Sequence, residues 1–164
     1  MSWQSIRQRL LDATTVAKVD ELARQVSGSD PADLFRALFP VAADSRLARA
    51  AGQFGPEPVG HLSFRAGRLL VDLEPRCPVP CEEALRVVAE GAWDLSLREV
   101  PFYLVSQFGK LRLAEVATRL LGQASDPGQK LALETVLYWL APPAVDLLSV
   151  SRSYWDEQRE AEGG

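Results

Sequence analysis

Residues 96–140 read SLREVPFYLVSQFGKLRLAEVATRLLGQASDPGQKLALETVLYWL, and they spell three consecutive helices. Across residues 110–124 the apolar positions Leu113, Val116, Ala117, Leu120 and Leu121 recur at i, i+3, i+4, i+7 and i+8, which is one face of a helix. Ser125-Asp126-Pro127 follows. Asp126 can accept backbone N–H bonds as an N-cap, and Pro127 suits the first helical position, where no N–H is needed. The next helix carries Leu133, Val136, Leu137 and Leu140 on one face, with Leu131, Ala132, Tyr138 and Trp139 on its flanks. A helix this apolar is expected to be covered on more than one side. Pro142-Pro143 ends it. Upstream, Ser96 and Glu99 have the spacing of a capping box and open a helix bearing Val100, Phe102, Tyr103, Leu104, Val105 and Phe108. Gly109 is its stop, and Pro101 a first-turn residue or a kink. Val116, Leu120, Leu133, Val136 and Leu137 are expected in the core.

Working outward, residues 2–13 form an amphipathic helix with Trp3, Ile6 and Leu10 on one face. Val16, Val19, Leu22, Ala23 and Val26 give a second. Ser29-Asp30-Pro31 repeats the helix-start chemistry and opens a helix with Leu34, Phe35, Leu38 and Phe39, which Pro40 is expected to interrupt; a further helical piece covers residues 42–51. At Gly55-Pro56-Glu57-Pro58 the composition turns to loop chemistry. Leu62 and Phe64 alternate with Ser63 and Arg65, and, after Arg65-Ala66-Gly67-Arg68, Leu69, Val71 and Leu73 alternate with Leu70, Asp72 and Glu74. The alternation predicts a small β-hairpin over residues 61–74 with one apolar face laid on the helices. Cys81 begins another helix, and a last one runs to about residue 158. The expected architecture is a single, mostly α domain over residues 1–164, a helical bundle or a short array of helix pairs with the hairpin inserted. Its parts are N-terminal helices (1–52), a loop and hairpin (53–80), C-terminal helices (81–158) and a frayed acidic tail (159–164).

The chain has 164 residues, 47% of them apolar and 24% charged, as a folded domain with a real core requires. Its net charge of −4 disfavours general nucleic-acid binding, which needs a basic face, and suits a basic protein partner. Arg46, Arg49, Arg65 and Arg68 are the residues from which a local basic patch would be built. No apolar run is long enough for a membrane span, the N-terminus lacks signal-peptide architecture, and two cysteines make no disulfide framework, so the expected location is the cytoplasm. The preference for arginine over lysine suits a GC-rich bacterial genome.

Few residues suggest chemistry. His61 is the single histidine, without a nucleophile in a recognisable motif beside it. Cys77 and Cys81 are spaced C-x3-C, not as a redox C-x-x-C, and a metal site would need further ligands such as His61 and Asp72. Neither a metal nor a cofactor is called for. A thiol-based enzyme or redox sensor, with Cys81 reactive, Cys77 resolving and His61 nearby, is the alternative reading. Asp72/Glu74 and Glu82/Glu83 read as a solvated face and a helix start. The adjacent pairs Tyr138-Trp139 and Tyr154-Trp155 cannot both face one core, so at least one member of each is expected to point away and to anchor a partner or a second copy of the chain, together with the acidic tail.

Residues 96–155 resemble HEAT-type α-solenoid helix pairs. The resemblance rests on short amphipathic helices joined by tight turns, the Pro101 break, and Asp126-Pro127 opening the next pair, at a spacing shorter than the usual repeat of about 40 residues. It implies a protein-binding surface in place of a reaction. The function expected is therefore that of a small interaction module, an adaptor, regulatory partner or immunity-type inhibitor, with no catalysis of its own.

Overall fold

Ten α-helices are present in a computed structural model that describes residues 1–141 and 147–163, the side chains of 147–154 excepted. They are α1 (Trp3–Asp12), α2 (Val16–Val26), α3 (Pro31–Ala43), α4 (Ser45–Ala50), α5 (Leu62–Leu73), α6 (Cys81–Glu90), α7 (Glu99–Phe108), α8 (Lys110–Gln123), α9 (Pro127–Leu140) and α10 (Leu147–Gly163). The expected mostly helical bundle is observed. No helix among the described residues is long and apolar enough to cross a membrane.

The hairpin expected at 61–74 is absent; that stretch is the helix α5. Leu62, Ala66, Leu69 and Leu70 are buried at i, i+4, i+7 and i+8, a helical stripe. Arg65 and Arg68 are buried beside it, so polar residues interrupt the stripe in the sequence, and exposed Asp72 between half-buried Val71 and Leu73 adds an accidental alternation. Gly67 is no turn residue. A Cβ there would lie 2.9 Å from Leu97 Cδ1 and 3.2 Å from Glu99 Cβ, so its bare backbone lets the segment entering α7 rest on α5. Among the described residues the extended pairing in this region is a lone bridge between Phe54 and His61. α5 is the central element, packing against α1, α2, α3, α4 and α7.

Both Asp-Pro starts form as the sequence predicts. The Asp30 carboxylate accepts from the N–H groups of Ala32 and Asp33, and that of Asp126 from Gln129. Pro40 does not interrupt its helix, because α3 continues through it to Ala43. A proline there cannot donate to the carbonyl four residues back. That carbonyl belongs to Arg36, and it accepts instead from the Arg7 guanidinium at 2.9 Å, which ties α1 to α3. The Ser96/Glu99 capping box does not form. Ser96 donates its hydroxyl to Asp94 at 2.6 Å, and α7 starts without a side-chain cap.

In the second half α6 packs on α8 and α9, and α7 joins this layer to α5. Val116, Leu120, Leu133 and Val136 are buried as expected, and Leu137 is half-buried. Residues 159–163, expected to fray, are helical. α10 packs on α2, where the Glu162 carboxylate accepts from the N–H groups of Val16 at 2.8 Å and Ala17 at 3.1 Å.

Candidate interaction surface

His61 is the N-cap of α5, not the start of a strand. Its Nδ1 accepts from the Ser63 N–H at 3.2 Å, so in the neutral ring Nε2 carries the proton, 3.6 Å from Asp94 Oδ2. The ring is 3% exposed, lying against Phe54 with centroids 4.2 Å apart and edge-on to Phe64 at 5.1 Å. Nδ1 is thus engaged in the cap, and Nε2 is buried near the half-buried Asp94 without a hydrogen bond. Burial pushes its pKa below the usual value; Asp94 opposes that shift, and Arg49 and Arg65 reinforce it. The unfolded chain therefore takes up a proton at a higher pH than the folded one. The stabilisation is fully present above the ordinary histidine pKa of about 6.5 and is lost as pH falls through the folded-state value. We expect unfolding free energy to fall as pH drops below about 6.5. His61→Asn, which keeps a capping oxygen but cannot titrate, should flatten this limb in urea unfolding. Identical slopes for the two proteins would refute the assignment.

Both cysteines are free. Cys81 is the first residue of α6 and buried; Cys77 is half-buried, its thiol 3.5 Å from the Val79 carbonyl oxygen. Burial raises both thiol pKa values. At Cys77 the hydrogen bonds with Val79 and Tyr103 work the other way and Glu83 adds to the rise; at Cys81 Arg112 works the other way, and Cys77 and Glu82 add to it. Burial thus favours the protonated thiol at both positions. Among the described residues no group of three or more His, Cys, Asp or Glu side chains could hold a metal ion, so the structure does not bring His61 and Asp72 to the cysteines. Glu82, held by Arg119 and then Arg86, lies near pKa 2 and is unsuited to proton transfer near neutrality. Asp72 pairs with Arg68 at 2.7 Å. Arg65 is fully buried and Arg68 9% exposed, so neither joins Arg46 and Arg49 in a surface patch.

The aromatic pairs separate. Tyr138 is 70% exposed on α9. Trp139 is half-buried, donating its indole N–H to the Leu95 carbonyl at 3.2 Å, and its ring meets Tyr138 edge-to-face at 5.2 Å. Trp155, expected at a contact surface, is instead 2% exposed, with the Arg68 guanidinium 5.7 Å from its ring centre. The side chain of Tyr154 lies outside the described residues. Leu131, on the same stripe of α9 as Tyr138, is also exposed, as is Leu111 on α8. The sequence held a signal for Leu131, since α9 has more apolar residues than one buried face can take. The structure thus presents two exposed apolar side chains, Leu131 and Tyr138, along the outer stripe of α9 with Glu134 and Thr135 between them, while the opposite face holds Leu133, Val136 and Leu140 in the core. No protein-family model, curated protein or solved structure matches the chain.

Proposed function

We propose that the chain is a helical protein-interaction module, without catalysis of its own, that docks a partner protein along the outer stripe of α9. The observation that carries this reading is the exposure of Leu131 and Tyr138, 52% and 70%, seven residues and so two turns apart on the same helix face. An exposed tyrosine on a rigid helix gives large contact area at little entropic cost. Trp139, fixed by its bond to Leu95, buttresses the Tyr138 ring and holds it ready. The packed pair α8 and α9, joined by the turn at 124–126, is the part of the chain closest to a HEAT-like unit, and such pairs display binding residues on an outer face. The acidic balance favours a basic partner. The burial of Cys81, and the upward shift of both thiol pKa values, count against the thiol-based alternative.

Tyr138→Ala should weaken partner binding at least tenfold, as loss of a central aromatic anchor does. It should leave thermal stability nearly unchanged, because so little of the side chain is buried. The partner is first captured with the wild-type chain and then titrated against wild type and Tyr138→Ala by calorimetry. Equal affinities would remove α9 from the interface.

A further inference from the structure

Trp155, Arg159 and Glu162 stand at i, i+4 and i+7, one stripe of α10. Each meets a separate feature of the helices beneath. Trp155 is 2% exposed beside the Arg68 guanidinium of α5. Arg159 donates to Asp20 of α2 at 2.7 Å and to its own neighbour Asp156 at 2.5 Å. The Glu162 carboxylate takes the N–H groups of Val16 and Ala17, while the Thr15 hydroxyl oxygen takes that of Lys18 at 3.3 Å. The opening N–H groups of α2 are thus met largely by a side chain from the far end of the chain. This is helix-in-groove recognition with regularly spaced anchors, carried out within one molecule.

The seat is specific, but its hold past Trp155 is electrostatic. Asp156, Glu157, Arg159, Glu160, Ala161 and Glu162 are all exposed, so the last two turns of α10 bury no large apolar side chain. Exposed ion pairs are weak and screened by salt. The shape and charge of the seat fit any helix that repeats Trp-x3-Arg-x2-Glu, and a second copy of this chain carries that stripe with identical spacing. A reciprocal exchange would leave no seat empty and would close with twofold symmetry.

We propose that two copies of this chain exchange their C-terminal helices, each α10 placing Trp155, Arg159 and Glu162 on α2 and α5 of the other copy. The contacts are the same within a chain and between chains, so protein concentration sets the balance. This surface is distinct from the α9 stripe, and Tyr138→Ala leaves the exchange unchanged.

A reciprocal charge swap tests the exchange. In Asp20→Arg two arginines face each other, and in Arg159→Asp two carboxylates do, whether the helix seats within its own chain or on a second copy. Mixed, the two variants can satisfy both seats only as a heterodimer. Native mass spectrometry should show at least tenfold more heterodimer than either homodimer. Folded variants that stay monomeric on mixing, or that form homodimers as readily as heterodimers, overturn the proposal. If either variant fails to fold, wild-type protein settles the matter. Heavy- and light-isotope chains are mixed at high concentration and treated with a carbodiimide, and cross-links between α10 carboxylates and lysines are read. Cross-links joining heavy to light chains support exchange, and cross-links confined to one isotope overturn it.

Discussion

Replacing Arg65 with alanine is expected to lower the unfolding free energy by about 3–5 kcal/mol, a large part of the roughly 5–15 kcal/mol typical of a domain. Arg65 is fully buried in the central helix. Its guanidinium donates to the Ala13 carbonyl at 2.8 Å, where α1 ends, and to the side-chain oxygen of Gln53. Gln53 in turn donates to the Leu11 carbonyl at 3.1 Å. Both acceptors of the cation are neutral, and burial alone lowers its pKa to about 10. The protein meets the expense of an enclosed charge by stitching α5 to the end of α1 and to the loop before α5. Alanine would leave two acceptors without their donor, each worth roughly 1–3 kcal/mol, and would also remove the packing of the aliphatic stem. Arg65→Lys keeps the stem and the charge but offers a point donor where a planar fork is needed, so an intermediate loss is expected. Urea unfolding followed by circular dichroism measures both. A loss below about 1 kcal/mol for alanine would show that the network is not structural.

Gly91→Ala should be damaging for a steric reason, by about 2–3 kcal/mol. A Cβ at this position would stand 2.6 Å from the Ala43 carbonyl oxygen and 3.0 Å from that of Val87. Both obstacles are backbone, so no rotamer change relieves them. Nor can the α3–α4 junction retreat easily, because Ser45 bonds the Ala92 carbonyl through its N–H at 2.9 Å and its hydroxyl at 2.6 Å. The close approach therefore fixes the end of α6 against the end of α3. Gly122→Ala is the control. Nothing lies within 4 Å of its added carbon, and alanine favours the helix, so that variant should be neutral or more stable. Thermal melts of the two variants compare them directly, and similar melting temperatures would contradict the steric account.

The helical character of the chain was legible wherever polar and apolar residues kept to separate faces. α8 shows this, and Asp126-Pro127 after it announces the start of α9. α5 was illegible for the opposite reason. A helix at the middle of a bundle has neighbours on most sides, and here its buried side includes two arginines, a serine and a glycine. Local periodicity cannot reveal that a cation will find acceptors on helices distant in sequence. The continuation of α3 through Pro40 was hidden for the same reason, since the acceptor freed by the proline is met by Arg7, 29 residues away. Surface residues were partly readable. Two adjacent aromatics must diverge, which Tyr138 and Trp139 do, but which member of such a pair turns inward depends on what lies beneath. Trp155 is buried because α10 returns to the N-terminal helices, and nothing within its own segment announces that destination.

That return gives the chain an assembly order unlike its order of synthesis. The N–H groups of Val16 and Ala17 wait for an acceptor 146 and 145 residues downstream. Closing a loop that long adds little free energy over a shorter one, because the entropic term grows only with the logarithm of length. It does impose a wait, since long-range contacts are rewarded only after the intervening chain is in place. α2, among the first helices to leave the ribosome, is thus among the last to be completed, and a nascent chain lacking its final residues presents that helix start uncovered.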